Sequence, residues 1–311
     1  MGRVCVLGIF AADAVWRSAR MPRPGETILG DGFMLGPGGK GSNQAVAAAR
    51  AGAETTLVTR LGDDPFADMA ERVWAEAGVR GLAERDAESH TAAAFIHLAP
   101  GGMNAIIVAP GAAGLISPNY VERHRAAIEG ADVFVTQLEQ PVDAAEAALR
   151  IARAAGVRTI LNPAPGADLP DGMLALCDLV TPNESETEAL CGVRPTGPED
   201  AAEGSRALRA RGAGAAIITL GGAGAFYLGP EGEIHVPARA AGKVVDTTGA
   251  GDAFNGGLAA ALAEGRAMSE ALGFAAALAG LSVTREGAAA SMPTRAEIDA
   301  ALGAALGVAA G

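Results

Sequence analysis

Two glycine-rich segments contain the residues of this sequence that could do chemistry. One runs from Asp246 to Asp252 as DTTGAGD and leads into an apolar helical stretch at Ala253–Leu262. Its three consecutive small residues leave backbone N–H groups uncovered at a helix start, where the helix dipole favours an anion such as a phosphoryl group. Asp252 has two interpretations: a carboxylate that takes up a proton, or an N-cap of the helix, for which Asp is a favoured residue.

The other segment reads GPGGKGSNQ over Gly36–Gln44, where glycines again lead into a predicted helix and Lys40 and Asn43 offer polar groups. It is not a Walker A loop, because Met34 stands where that motif requires glycine and Gly41 where it requires Ser or Thr. A flexible turn with a solvated lysine is one interpretation. A backbone cradle for a polyhydroxylated ligand is the other.

Together the two segments resemble the paired signatures of the ribokinase-like (PfkB) carbohydrate kinases, in that family's order and approximate spacing. The resemblance extends from Val6 to about Pro293. It implies ATP-dependent phosphorylation of a small monosaccharide, with ribose as the expected acceptor. The general base of the family corresponds to Asp252, and the amides of Gly249, Ala250 and Gly251 correspond to its anion hole. Phosphoryl transfer depends chiefly on positioning and charge stabilisation, which such groups supply.

The resemblance also implies a sugar site of carboxylates, an amide and an ammonium, which suit the hydroxyl groups of a sugar. Its members are Asp13, Gly39, Lys40, Gly41, Asn43, Glu139 and Asp252. One position departs from the family pattern, since Ala11 stands where ribokinases have Asn. One sugar hydroxyl therefore lacks a partner, and another sugar or a nucleoside remains an alternative acceptor. A non-catalytic sugar or nucleotide sensor on the same fold is the rival hypothesis of another class.

Further along the chain, the segment Asn183–Glu186 resembles the family's Asn-x-x-Glu motif, which organises Mg²⁺ and the nucleotide phosphates; an acid-rich helix start is the alternative. Glu186 would hold Mg²⁺ indirectly, because this ion keeps much of its water. The nucleotide-binding residues that the resemblance implies are Asn183, Thr219, Gly221, Gly222, Gly224, Gly251 and Ala276. A dinucleotide fingerprint in the first strand-helix unit is missing from the sequence.

A loop late in the chain, Ser282–Ser291, resembles the place where ribokinases bind an activating monovalent cation. The implied ligands are the backbone oxygens of Thr248, Ser282, Arg285 and Gly287 and the side-chain oxygens of Asp246 and Ser291. The expected cofactors are therefore ATP, Mg²⁺ and K⁺.

These motifs must be positioned by the elements around them. From Asp132 onward strands alternate with helices, beginning with a strand at Val133–Gln137 and a helix at Val142–Ala155. Such alternation predicts a mostly parallel sheet covered on both faces, that is, an α/β three-layer sandwich. Nearer the N-terminus the pattern predicts a strand at Val4–Ile9 and a helix from Asn43 to Arg50.

A small β-sheet lid is predicted from two segments, at about residues 10–35 and 92–110. Met21–Gly41 is punctuated by Pro and Gly, and Ala93–Leu98 and Asn104–Val108 flank a Pro-Gly-Gly turn with the lengths of a hairpin. One kinase domain over residues 1–311 with this lid is the expected organisation. Its uncovered sheet predicts a homodimer.

The composition of the sequence excludes some classes of binding partner. The 311 residues carry a formal net charge of −12, which argues against nucleic acid or an anionic membrane. No apolar run approaches the roughly 20 residues of a membrane span. The three cysteines have no metal-ligand spacing and are odd in number, so a reducing cytoplasm is expected. A sugar and ATP are the expected partners.

Overall fold

The computed structural model describes residues 2–239 and 241–308. Its strands are β1 (Arg3–Leu7), β2 (Ala11–Arg17), β3 (Gly32–Gly38), β4 (Glu54–Gly62), β5 (Val79–Asp86), β6 (Ala93–Leu98), β7 (Asn104–Ala109), β8 (Val133–Thr136), β9 (Arg158–Leu161), β10 (Leu179–Val180), β11 (Ala215–Thr219), β12 (Ala225–Gly229) and β13 (Gly232–Val236). Its α-helices are α1 (Lys40–Arg50), α2 (Pro65–Ala77), α3 (Pro118–Arg123), α4 (Arg125–Glu129), α5 (Val142–Ala154), α6 (Glu184–Cys191), α7 (Pro198–Ala210), α8 (Ala250–Ala263), α9 (Met268–Ser282) and α10 (Arg295–Val308).

Nine strands form the main sheet, in the order β13-β12-β11-β10-β9-β8-β1-β4-β5. The strands from β11 to β5 in this order pair in parallel, whereas β12 and β13 form an antiparallel hairpin at one edge. Alternate residues of β1 enter different cores, Val4 and Val6 on one face and Cys5 and Leu7 on the other. Helices α1, α2, α8, α9 and α10 contribute to the first core, and α3 to α7 to the second. The predicted three-layer α/β sandwich is confirmed.

The chain leaves two neighbouring strands in opposite directions. Strand β1 lies between β4 and β8; after β1 the chain runs to β2, β3 and α1, and after β8 it runs to α5 on the opposite face. In open α/β sheets such a divergence leaves a crevice at the carboxyl ends of the strands, where ligands bind. Asp13 and Glu139 belong to the two segments that diverge.

A second sheet has the strand order β3-β2-β6-β7, with β2 and β6 parallel at its centre. Trp16 packs there against Phe33 and Phe95, with ring centroids 4.8 and 5.4 Å apart. The predicted small additional sheet is confirmed, and it uses the hairpin that the sequence predicts.

Several predicted boundaries differ from the observed ones. Strand β1 ends at Leu7, two residues before the predicted end. The segment predicted to be irregular, Met21–Gly41, contains strand β3. Helix α1 begins at Lys40 rather than Asn43, because the backbone of Gly39 forms its N-terminal cap. The sequence pattern also does not predict β5, an edge strand in which charged residues interrupt the apolar run.

Across residues 2–239 and 241–308, none of the helices has both the length and the apolar character needed to cross a membrane.

Candidate active site

The first turn of helix α8 is open at its N-terminal end. Gly249 is the N-cap, with φ of +75°, and its carbonyl accepts the N–H of Ala253 at 2.8 Å. A Cβ on Gly249 would lie 2.8 Å from the Cβ of Ala288, so glycine alone fits the turn. At Gly251, by contrast, no described atom lies within 4 Å of where a Cβ would be, apart from its chain neighbours and the backbone of its own helix. The turn therefore leaves room for an anion beside its backbone amides.

Asp252 is the third residue of α8 and does not cap it. Its side chain is 6% exposed, and its two oxygens accept hydrogen bonds from α1. Asn43 Nδ2 donates to Oδ2, and Gln44 Nε2 donates to Oδ1, both at 3.0 Å. The capping interpretation is therefore wrong, and the carboxylate is held between the two helices beside the open turn.

Several predicted sugar residues lie together at the carboxyl ends of β1 and β8. Glu139 Oε2 accepts the backbone N–H of Lys40, the first residue of α1, at 2.7 Å. Asp13 lies over the backbone of Gly38, since a Cβ there would fall 2.0 Å from Oδ2. We name four charged residues here the acidic cluster: Asp13, Lys40, Glu139 and Asp252. They are close enough together that their charges affect the pKa values of Asp13, Lys40 and Glu139.

Two carboxyl groups of this cluster have raised pKa values. The pKa of Asp13 is raised to about 6 and that of Glu139 to about 7, in both cases chiefly by burial and to a smaller extent by the charge of Asp252. The Lys40 ammonium opposes these shifts. Burial lowers the pKa of Lys40 itself, but the surrounding carboxylates raise it on balance. One ammonium thus faces several carboxylates, an arrangement that suits a neutral ligand rich in hydroxyl donors.

Replacing Glu139 with glutamine is expected to stabilise the ligand-free protein at alkaline pH. The pKa of Glu139 is raised from 4.5 to about 7 in the folded state, so its contribution to stability is lost as the pH rises through about 7. Glutamine keeps an oxygen for the Lys40 N–H. We expect a gain of roughly 1–3 kcal/mol at pH 8 and a clearly smaller one, about 1 kcal/mol at most, at pH 5.

Thermal melting at both pH values checks this prediction. Glu203→Gln, on an exposed position of α7, serves as the control and should change neither melting temperature. An equal gain at both pH values for Glu139→Gln would contradict it.

A cavity continues from Asp252 across the ends of β9, β10 and β11. It is lined by Lys40, Asn162, Ala164, Thr181, Asn183, Glu186, Thr219, Thr247, Gly249, Ala250, Gly251, Asp252 and Asn255. Lys40 and Asp252 therefore belong to both the acidic cluster and this cavity. Backbone amides, an ammonium and neutral polar side chains are groups that suit phosphates.

Some predicted nucleotide residues lie apart from this lining. Gly221 and Gly222 belong to the turn that follows β11, and Gly224 comes directly after that turn. Ala276 lies within α9 and is 7% exposed. These four residues could contact a nucleotide only if it extended beyond the cavity.

Asn183 and Glu186 form a capping box at the start of α6. Asn183 Oδ1 accepts the Glu186 N–H at 2.9 Å, and Glu186 Oε2 accepts the Asn183 N–H at 2.9 Å. The helix-start interpretation is thus correct for their hydrogen bonds, although both residues also line the cavity. Within the described parts of the chain, no group of three His, Cys, Asp or Glu residues could hold a metal ion. A Mg²⁺ ion beside Glu186 would therefore take its other ligands from phosphate and water.

The two segments predicted to hold a monovalent cation are joined by Asp246. Its Oδ1 accepts the N–H of Thr248 and its Oδ2 the N–H of Gly287, each at 2.9 Å. Burial raises the pKa of Asp246, but these hydrogen bonds lower it on balance, so the carboxylate stays ionised. The Ser291 hydroxyl donates to Ala288 O, and the Ser282 hydroxyl donates to Ala279 O. A negative charge and a folded loop therefore fit a cation. The predicted ligand of Ser282 is its backbone oxygen, so the direction of its hydroxyl does not bear on that prediction.

The predicted site residues do not include several buried amide and hydroxyl groups around Asp252. They are Gln44, Gln137, Asn162, Thr181 and Asn255. Gln44 follows Asn43 directly, and Asn255 lies three residues after Asp252. A polar residue next to a motif or at the end of an apolar strand is the signal that could have identified them.

Known proteins match nearly the whole chain. A model for pfkB family carbohydrate kinases matches residues 1–295. The ribokinase of Haemophilus influenzae is 38% identical over 293 residues, covering 94% of this chain and 95% of the relative. The deoxyribokinase of Salmonella typhi is 32% identical over 293 residues, with the same coverage. The structure of Arabidopsis thaliana ribokinase complexed with ribose and ATP has a TM-score of 0.87 and 30% identity, covering 97% of this chain and 98% of that one. The chain therefore belongs to the pfkB family of carbohydrate kinases.

Proposed function

We propose that this kinase transfers the γ-phosphoryl group of ATP to the 5-hydroxyl of ribose, giving ribose 5-phosphate. The similarity to a bacterial ribokinase and to a plant ribokinase complexed with ribose and ATP supports this acceptor. The observation that carries the proposal is the place of Asp252, where the acidic cluster meets the open turn of α8.

In the proposed reaction Asp252 is the general base. The acceptor oxygen forms a bond to the γ-phosphorus, the bond from that phosphorus to the departing ADP oxygen breaks, and the hydroxyl proton passes to the Asp252 carboxylate. Two amide donors from α1 fix the carboxylate, while each oxygen keeps a further lone pair for the hydroxyl. Asp252 also lines the cavity, so its carboxylate would lie between the proposed sugar residues and the proposed phosphate site.

Charge on the transferring group is stabilised by the backbone at the start of α8 and by Lys40. Fixed amides and a partly buried ammonium need little reorganisation during the reaction, which is why such groups lower the barrier. Bound Mg²⁺ would supply further charge neutralisation on the phosphates, near Asn183 and Glu186. Gly249 to Gly251 would form the anion hole.

We expect K⁺ to raise kcat relative to an inert organic cation. An ion beside Asp246 would tie the 246–248 turn to the 282–291 loop, which already contacts the anion-hole turn at Ala288. Initial rates in potassium chloride and in tetramethylammonium chloride at equal ionic strength check this. Equal rates in the two salts would remove K⁺ from the proposal. Asp246→Asn should abolish the difference between the salts.

The acceptor is tested with a panel of monosaccharides and nucleosides, with ATP and Mg²⁺, by ADP release. 2-Deoxyribose belongs in the panel for a specific reason. Ala11 and Asp13 are alternate residues of β2 and therefore share one face, so a methyl group lies where ribokinases have an amide. Together with the similarity to a deoxyribokinase, this favours a deoxypentose as the second candidate. Binding without ADP release for every acceptor would favour the sensor.

We expect the small sheet to close over the sugar as a lid and to pair with a second subunit. Its exposed apolar side chains are Trp16, Phe33, Met34, Leu35, Ile106, Ile107 and Val108. Strand β7 is an edge strand, and such strands are usually covered. Sedimentation should give twice the chain mass, and Ile107→Lys should shift the protein towards the monomer. A mass of one chain across micromolar concentrations would rule out the homodimer.

A cytoplasmic location is also part of the proposal. Cys5, Cys177 and Cys191 are free thiols, which suits a reducing compartment.

A further inference from the structure

Gln44 is a fully buried side chain in the first turns of α1, and its amide makes three hydrogen bonds. Its Nε2 donates to Asp252 Oδ1 and to Asn162 Oδ1, both at 3.0 Å. Its Oε1 accepts from Gln137 Nε2 at 2.5 Å. We propose that Gln44 is a positioning residue for Asp252, an assignment that rests on the proposed role of Asp252 as the base.

The three partners fix which end of the Gln44 amide faces Asp252. A primary amide has two N–H donors, and here both are used by oxygen acceptors. Rotating the amide by half a turn would place its oxygen against Asp252 Oδ1 and Asn162 Oδ1 and its NH₂ against that of Gln137. Each of these contacts is repulsive, so the donor stays on the carboxylate.

The same hydrogen bonds extend to the anion-hole turn. Asn162 Nδ2 donates to Thr181 O at 3.0 Å, and Thr181 Oγ1 donates to Asn255 Oδ1 at 2.6 Å. Asn255 Nδ2 then donates to Gly251 O at 2.9 Å. Gln44 therefore belongs to a continuous chain of buried groups that runs from the proposed base through the ends of β9 and β10 and returns to the turn that precedes Asp252, at Gly251 O.

Gln44 is a neutral donor among charged groups. Lys40 of α1 faces Asp252 with positive charge, and the carboxylates of Asp13, Glu139 and Glu186 face it from β2, the segment after β8, and α6. A charge-assisted N–H bond favours the ionised form of a carboxylate. Loss of the Gln44 donor should therefore remove one of the two hydrogen bonds that stabilise and orient the Asp252 carboxylate.

Gln44→Met keeps the length of the side chain and removes all three hydrogen bonds. We expect kcat to fall by roughly 10- to 100-fold, KM for the sugar to stay within about two-fold, and the acidic limb of the kcat–pH profile to move up by roughly one unit. In the Asp252→Asn background the same substitution should lower kcat no further, because the group that it positions is gone.

The matched control is Gln140→Met. Gln140 is also buried near the end of β8, and its Nε2 donates to Thr136 Oγ1 and Gln137 O rather than to Asp252. It should lower the melting temperature and leave the pH profile of kcat unchanged.

Gln44→Glu is a second variant, for the case in which the methionine variant is unstable. It keeps the acceptor for Gln137 but faces Asp252 with a carboxylate, so the acidic limb should move further up than in Gln44→Met. A wild-type kcat and acidic limb in either variant, when Asp252→Asn is slow, would overturn the inference about Gln44 alone. An Asp252→Asn enzyme with near wild-type turnover would instead remove the proposed base.

Discussion

Asp252→Asn is expected to lower kcat by roughly 10²–10⁴, the usual scale for loss of a general base, while the melting temperature changes little. The side chain keeps its shape but can no longer take up a proton. Asparagine also fits the hydrogen bonds of the site. Its oxygen can accept from Gln44, and its NH₂ can donate to Asn43 Oδ1, which is buried without a partner among the described residues, once the Asn43 amide turns over.

Steady-state rates and melting curves on the same preparation test this prediction. Binding of a non-hydrolysable ATP analogue, followed by calorimetry, shows whether the nucleotide site is intact. Turnover within about three-fold of the wild type would exclude Asp252 as the base, since the measured scale for such groups is far larger. A large fall in melting temperature would indicate that the carboxylate matters for folding instead.

The architecture could be predicted because the strands and helices of the main sheet have recognisable local sequence patterns. Short apolar strands alternate with amphipathic helices from Asp132 onward, and that alternation specifies a parallel sheet covered on both faces. The hairpin of β6 and β7 follows from its turn residues. By contrast β5 carries Arg80, Glu84 and Arg85 within eight residues and lies at the sheet edge, so local hydrophobicity could not identify it.

Only those residues of the candidate site that belong to a recognisable sequence motif could be predicted. DTTGAGD and GPGGKGSNQ identify Asp252 and Asn43 because glycines mark close backbone approaches. Asn162 lies outside both motifs. Gln44 ends the second motif, but its partner Asn162 is 118 positions away in the sequence, so the motif does not show what Gln44 contacts. Their roles arise from the meeting of α1, β9 and α8, which no local pattern records. Local sequence also could not show that Asp252 does not cap α8. Asp is a favoured N-cap residue, but in the structure Gly249 occupies that position.

Gly251→Ala is expected to separate stability from activity at the anion-hole turn. Apart from its chain neighbours and the backbone of its own helix, no described atom lies within 4 Å of where the new Cβ would be, so the backbone need not move. Alanine in the first turn of α8 should leave the melting temperature unchanged or raise it. The expected gain in the free energy of unfolding is at most roughly 1 kcal/mol. The methyl group would occupy the space beside the amides, where the transferring phosphoryl group is proposed to lie.

Displacement of that group by about 1 Å should lower kcat/KM for ATP by roughly 10² or more, because in-line transfer tolerates little misplacement. Gly303→Ala is the matched control. Gly303 is an exposed glycine within α10, and it also has open space where a Cβ would lie. It should show the same small effect on melting and wild-type kinetics. If Gly251→Ala instead retained wild-type kcat/KM with a normal melting curve, the phosphoryl group could not pass beside this turn. The anion hole would then have to lie elsewhere along the cavity, and Lys40 would be the remaining fixed positive charge lining it.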